Sequence, residues 1–357
     1  MKIAMLISGG VDSSVALKML KEQGHDVTAF YLKIWLEDEV AFLGECPWEQ
    51  DLVHVRAVCE KEQVPLQVIP LQKEYWEHVV QHTLELVRGG YTPNPDILCN
   101  QRIKFGLFLN HIDNSYDKIA TGHYAQVVEH EGLFVLKRSP DAVKDQTYFL
   151  SYLDQKQLSR TMFPLGELTK AQVRVRALEY GLPNAHRKDS QGICFLGKLK
   201  FADFINHYLG TQEGDMREYE TGAIVGKHRG YWYYTIGQRQ GLGLAGGPWY
   251  VVAKDHTTNS IFISRSYYAA DKKRDSFCVK ALRWALEPEG EIKALVKLRH
   301  GPDLHACTLT KKENGEIFVQ LETRDQGIAP GQYATFYQDE LCIGAGVIAS
   351  ELIDPNR

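Results

Sequence analysis

The feature that most limits this chain stands at its start. A short apolar run, Lys2–Ile7, reads as a β-strand and leads directly into Ser8-Gly9-Gly10-Val11-Asp12-Ser13-Ser14. A helical pattern follows from about Ser13 to Gln23 and stops at Gly24. Strand, glycine pair and helix in that order bring backbone N–H groups and the positive end of a helix to one point, which suits a phosphate. The serines add hydroxyl donors, and Asp12 beside a polyanion makes sense if it binds Mg²⁺ or caps the helix. The loop is not GxxxxGK[ST], so it offers no lysine to the β- and γ-phosphates, and it is not the GxGxxG of a dinucleotide site.

The alternation continues. Val27–Ile34, Leu66–Ile69 and Lys118–Ala120 read as strands; Glu49–Lys61, Tyr75–Val87 and Lys104–Asn110 read as helices. This order predicts an α/β fold, a Rossmann-like parallel sheet covered on both faces. Thr169-x-x-Gln172 has the form of a capping box opening a helix that closes at Gly181, with Pro183 beyond. After about residue 200 the pattern becomes strand-rich: Tyr231–Tyr234, Trp249–Ala253, Ser260–Ser264, Ala294–Leu298, Ala306–Thr310, Ile317–Leu321 and Ala334–Tyr337. We therefore expect a nucleotide-binding and catalytic domain over 1–200, a central β-rich domain over 201–272, and a C-terminal β-barrel over 273–357.

With 44% hydrophobic and 24% charged residues, the 357-residue chain has the composition of a soluble globular protein. It has no apolar run of the ~20 residues a membrane helix needs, so a cytoplasmic protein without a membrane partner is expected. Seven cysteines, an odd number with no CxxC pair, speak against zinc or a disulfide framework, and no protein-held metal site is expected. The net charge of −4 excludes a uniformly basic nucleic-acid binder. The window 156–200, however, holds nine Lys/Arg against three Asp/Glu and so carries +6. A face for RNA and an ordinary solvated surface both fit that window.

Two cysteines sit in unusual settings. In Tyr91-Thr92-Pro93-Asn94-Pro95-Asp96-Ile97-Leu98-Cys99-Asn100, the prolines stiffen a loop just before a helix. Cys99 near a helix N-terminus is expected to have a lowered pKa, and Asp96 could relay a proton. In His186-Arg187-Lys188-Asp189-Ser190-Gln191-Gly192-Ile193-Cys194-Phe195, the neighbouring cations favour a thiolate or persulfide at Cys194. Taken singly, each reads as well or better as a packed cysteine.

SGGVDSS resembles the pyrophosphate loop of the N-type ATP pyrophosphatases. Taken with NPDILCN and DSQGICF in that order, the chain closely resembles the MnmA/TrmU-type tRNA-specific 2-thiouridylases. Thr121–Ala125, Lys144–Leu150, Tyr234–Gly243 and Ala329–Gln332 extend the match over essentially the whole chain. The resemblance implies ATP-dependent thiolation of the tRNA wobble uridine. ATP adenylates the C2 oxygen, persulfide sulfur from Cys194 replaces it, and AMP and pyrophosphate leave. Cys99 is then the nucleophile, and the two cysteines end as a disulfide that a thiol must reduce. By the same resemblance, Leu6, Ile7, Ser8, Gly9, Gly10, Val11, Asp12, Ser13, Leu32 and Gly122 meet the nucleotide. Asn94, Pro95 and Asp96 surround the target base. His123, Lys144, Asp145, Gln146, Arg299, His300 and Gln332 touch tRNA. Mg²⁺ is expected with ATP, tRNAs for lysine, glutamate and glutamine are the expected substrates, and a cysteine desulfurase or sulfur-relay protein is the expected donor. Leu32 stands where many members have Met, which leaves an apolar adenine pocket intact.

Three other readings stand beside this one. An amide-forming or argininosuccinate-type synthetase on the same loop needs no cysteine pair. An RNA-binding protein with an idle nucleotide fold needs no intact SGGVDSS. A zinc deaminase fails on ligand spacing. The segment Lys227-His228-Arg229-Gly230-Tyr231-Trp232-Tyr233-Tyr234 could stack on bases, although aromatics on a strand more often pack inward. Cys46, Cys59, Cys278, Cys307 and Cys342 read as packing residues, with a redox role for the first two left open.

Overall fold

The computed structural model describes residues 1–34, 47–189, 200–267, 275–288, 290–325 and 328–349. Cys46 and Cys194 lie outside them. Strands β1 (Lys2–Leu6), β2 (Asp26–Lys33), β3 (Leu66–Pro70), β4 (Lys118–Ala120) and β7 (Thr161–Met162) form an all-parallel sheet in the order β3-β2-β1-β4-β7. The period of two along each strand sends alternate residues into two cores. Ile3, Met5, Val27, Ala29 and Tyr31 pack with helices α1 (Val11–Glu22), α2 (Pro47–Glu62) and α4 (Lys170–Glu179). Ala4, Leu6 and Phe30 pack on the other face with Phe105, Phe108, Leu150 and Leu158. The helices therefore cover both faces, as the βαβ pattern predicts.

The Thr169 capping box forms, with Gln172 N donating to Thr169 Oγ1 at 3.3 Å and Thr169 N to Gln172 Oε1 at 2.8 Å. Two helical expectations need correction. The segment expected as a helix over Tyr75–Val87 starts earlier, at Gln72, and contains a π turn over Trp76–Val80 before Gln81–Arg88. In place of a helix over Lys104–Asn110, a short α-turn, α3 (Pro95–Leu98), runs into a π turn over Cys99–Lys104, and a 3₁₀ segment covers Leu107–His111.

A helix α5 (Phe201–Leu209) leads to a four-stranded sheet, β10-β11-β8-β9, built from β8 (Gly214–Glu218), β9 (Ile224–His228), β10 (Tyr250–Asp255) and β11 (Ser260–Ser264). Tyr231–Tyr233 is a 3₁₀ turn rather than a strand. Its aromatics pack: Tyr231 and Tyr234 are buried, Trp232 Nε1 donates to Gly210 O at 3.3 Å, and Tyr233 OH donates to Gly210 O at 2.7 Å. Base stacking is therefore not what Tyr231 and Tyr234 are arranged for.

Six strands, β12 (Ser276–Trp284), β13 (Ile292–Lys297), β14 (His305–Lys311), β15 (Ile317–Leu321), β16 (Tyr333–Gln338) and β17 (Leu341–Ile348), follow the order β12-β15-β14-β13-β16-β17, and the β12–β17 pairing closes them into a barrel. A hairpin from the first half, β5 (Gln126–His130) and β6 (Leu133–Lys137), extends this sheet, with Cys342 paired to Leu136. The first half and the barrel thus share both a sheet and a core, since Tyr337 and Cys342 pack with Phe105 and Phe108.

Candidate active site

The strand order reverses between β1 and β4, the switch point at which ligands of open α/β sheets bind beyond the carboxyl ends of the strands. The loop Ser8–Gly10 follows β1 and feeds α1, with Gly9 at φ +76°. Its shape is held by Ser13 Oγ donating to Gly10 O at 3.0 Å and Ser14 Oγ to Gly10 O at 3.0 Å. From outside, Asn184 Nδ2 donates to Gly9 O at 2.8 Å and Arg187 Nη1 donates to it at 2.9 Å. Asp12 does not cap the helix, because Gly10 holds that position. The Asp12 carboxylate instead accepts from Tyr124 OH at 2.8 Å and Lys170 Nζ at 2.6 Å.

Gly122, just past β4, lies against the start of α1. A Cβ there would stand 2.7 Å from Ser13 N and 2.9 Å from the Asp12 carbonyl carbon. Gly122→Ala is therefore expected to push the two apart and weaken polyphosphate binding about tenfold or more, as overpacking of this kind costs about 1–3 kcal/mol. Equilibrium binding of ATP to the variant checks this. His123 follows, with Nδ1 2.7 Å from Thr121 Oγ1 and its ring edge-on to Phe163. Loss of hydration, then the charge of Lys104, drives its pKa well below the usual value, so it is a neutral imidazole.

Asn94 caps α3 by accepting from Ile97 N at 3.3 Å, and Pro95 takes the first helical position, where its missing N–H costs nothing. Cys99 follows at the start of the π turn, 1% exposed, among Leu71, Tyr75, Val79 and Ile103. Here the lowered pKa expected from a helix N-terminus is overturned. Burial raises the thiol and outweighs the charge of Lys104, which lowers it; Asp96 raises it further, and a hydrogen bond with Tyr75 lowers it. No sequence motif marks Lys104, yet its charge acts on Cys99. Asn100 holds it, with Lys104 Nζ donating to Asn100 Oδ1 at 3.0 Å while Asn100 Nδ2 donates to Phe149 O at 3.0 Å. Leu32, at the end of β2, touches both the core beneath the sheet and the cluster around Cys99. Phe105, at the end of the π turn that begins with Cys99, lies 6.4 Å ring to ring from His123, the neighbour of the Gly122 that abuts α1.

The barrel closes on the same place. Thr92 N donates to Pro330 O at 2.8 Å. Tyr148 OH donates to Gln332 Oε1 at 3.2 Å and is hydrogen-bonded to Asn94. The His300 ring lies 4.8 Å from that of Phe149. Arg299 turns to Asp325, donating through both terminal nitrogens at 2.7 and 3.0 Å. Lys144 Nζ donates to Asp189 Oδ2 at 2.8 Å, and Gln146 Oε1 accepts from Tyr124 N at 3.0 Å. Asp145, expected at the RNA surface, is instead fully buried, 2.6 Å from the equally buried Lys297 Nζ. Cys59 and Cys342 are buried, with pKa values pushed up to about 11 and about 12 by loss of hydration. Among the described residues, no group of three or more His, Cys, Asp and Glu is placed to hold a metal.

Comparison with known proteins decides the family. Residues 1–198 match the model described as tRNA methyl transferase HUP domain, 202–265 the PRC-barrel domain of the same series, and 274–348 the aminomethyltransferase beta-barrel domain. The chain is 45% identical to the tRNA-specific 2-thiouridylase MnmA of Porphyromonas gingivalis, over 98% of this chain and 99% of that one. The chain belongs to the MnmA family of tRNA-specific 2-thiouridylases. MnmA of Parabacteroides distasonis is 44% identical over the same shares, as is MnmA 1 of Bacteroides thetaiotaomicron. All three spans of the family models are thus represented in relatives of matching length.

Proposed function

We infer that this chain is an ATP-dependent tRNA 2-thiouridylase, activating the C2 oxygen of a uridine and replacing it with sulfur. The observation that supports this best is the chain of contacts that links an anion-binding loop, a proline-stiffened cysteine loop and a barrel edge. Adenylation turns a poor leaving oxygen into AMP, which makes displacement by sulfur feasible.

In this reading Leu6–Ser13, Leu32 and Gly122 surround ATP, and Asn94, Pro95 and Asp96 surround the wobble base. Asp96 moves the proton, Cys99 is the nucleophile and Cys194 carries the persulfide. His123, Lys144, Gln146, Arg299, His300 and Gln332 meet the RNA, while Asp145 positions Lys144. Asp12 is engaged by Tyr124 and Lys170, so Mg²⁺ enters with the nucleotide, bound chiefly by phosphate and water. The three units over 1–200, 201–272 and 273–357 divide the work into chemistry, spacing and RNA grip. No helix among the described residues is long and apolar enough to cross a membrane. A cytoplasmic enzyme, tRNAs for lysine, glutamate and glutamine, and a cysteine desulfurase or relay protein as donor complete the proposal.

Mass spectrometry of nucleosides tests it. Unmodified tRNA incubated with the protein, Mg-ATP and a persulfide source should yield 2-thiouridine at the wobble position, with AMP and pyrophosphate formed in step. ATP cleavage that depends on tRNA but leaves no thiolated base would move the assignment to another acceptor.

A further inference from the structure

The loop Ser8–Ser14 contains no lysine, so a lysine for the polyphosphate has to come from elsewhere in the chain. It arrives from α4. Lys170, the first residue of that helix, places Nζ 2.6 Å from Asp12 Oδ1 and 2.7 Å from Asp189 Oδ1, with its side chain 15% exposed. The capping box fixes the start of α4, and Lys170 N donates to Asp141 Oδ2 at 2.9 Å, so the ammonium is aimed by the backbone behind it. Lys144 and Arg174 also reach Asp189. Three cations, Lys144, Lys170 and Arg174, therefore gather beside the anion loop around the carboxylates of Asp12 and Asp189. Burial alone would raise the Asp189 carboxyl, but its hydrogen bonds to Lys144 and Lys170 outweigh that and hold it at about 2.

The two arginines nearby are tied to the protein frame. Arg174 also donates to the carbonyls of Ala185 and Arg187, and Arg187 is held by Gly9 O and Asp51. Among the described residues, Lys170 alone pairs with both Asp12, in the first turn of α1, and Asp189.

We propose that Lys170 is a ligand of the β- and γ-phosphates of ATP, supplying from 158 residues downstream the lysine that the phosphate loop lacks. This rests on the ATP-dependent reading above. As the uracil O2 bonds to the α-phosphorus, the bond to the bridging oxygen breaks. Its electron pair stays with pyrophosphate, and the uracil N3 proton goes to solvent. An ammonium at the β- and γ-phosphates stabilises the charge that gathers there. Asp189 is the carboxylate that holds Lys170 before the polyphosphate does.

Titration calorimetry on wild type, Lys170→Met and Lys170→Arg, with Mg-ATP, Mg-pyrophosphate and AMP in turn, tests this. In Lys170→Met, ATP and pyrophosphate should bind about 10- to 100-fold more weakly, the loss of one charge-assisted contact. AMP, which lacks the outer phosphates, should stay within about twofold, and Lys170→Arg should recover part of the loss. Equal weakening of ATP and AMP would overturn the proposal, because Lys170 would then only fasten α4 to the loop. Unchanged ATP affinity in Lys170→Met would also overturn it, while leaving the ATP-dependent reading intact. A wild-type protein that bound no ATP would overturn both.

Discussion

Cys99→Ser is expected to lower 2-thiouridine formation by at least about 10³-fold while tRNA-dependent release of pyrophosphate continues. The groups that meet the nucleotide are untouched, so activation of the uridine proceeds. What fails is sulfur release. In the mechanism proposed above, the Cys99 thiolate attacks the inner sulfur of the Cys194 persulfide, the S–S bond to the outer sulfur breaks, and a disulfide forms as hydrosulfide leaves for C2. A serine oxygen cannot do this, and Cys194→Ser removes the carrier and should fail equally. The step has a signed pH dependence. Burial, the largest influence, sets the Cys99 pKa above its usual value, and Lys104 pulls against it. The thiolate fraction is then small at neutral pH and grows about tenfold per pH unit until the pKa is passed. Single-turnover sulfur release should climb with pH through neutrality. Lys104→Met should move that limb to higher pH, and Lys104→Arg should return it. A limb that stayed put in Lys104→Met would mean that Lys104 does not act on this thiol.

Local chemistry was legible in the sequence; long-range pairing was not. The parallel sheet and its phosphate loop could be read because strand, glycine turn and helix are contiguous, and their alternation leaves few topologies. The Thr169 capping box could be read for the same reason. The hairpin Gln126–Lys137 gave no sign that it would join a barrel formed some 150 residues later, because an edge strand looks alike whichever sheet completes it. At the site, the error on Cys99 came from weighing one favourable effect, a helix start, without the burial that only packing reveals. Tyr75, which bonds to the thiol, and Lys170 at Asp12 were missed because nothing in their own neighbourhoods marks them. Lys297 could not have been distinguished from any other strand lysine, since its partner lies 152 residues away.

Lys297→Met is expected to be the most destabilising single change in the barrel. Lys297 Nζ and Asp145 Oδ2 are 2.6 Å apart, and both side chains are fully buried. Asp145 Oδ1 also accepts from Ser139 N and Thr147 Oγ1, and Thr147 Oγ1 lies 2.9 Å from Tyr337 OH on β16. The pair therefore joins the segment carrying Lys144 to the barrel wall. Removing Lys297 strands the buried Asp145 charge at a cost of about 3–5 kcal/mol, with Arg138, 3.7 Å away, the one cation paired to it among the described residues. The double variant Lys297→Met with Asp145→Asn removes both fully buried charges and keeps the amide oxygen as an acceptor, leaving only the part-exposed Arg138 without its carboxylate, so it should recover most of the loss. Urea unfolding midpoints of the two single variants and the double check this. Equal losses in Lys297→Met and the double variant would mean that the lysine's stem, rather than its charge, supports the junction. Recovery of stability in the double variant without recovery of thiolation would separate the two tasks of this pair: holding the barrel in place, and setting Lys144 toward Asp189.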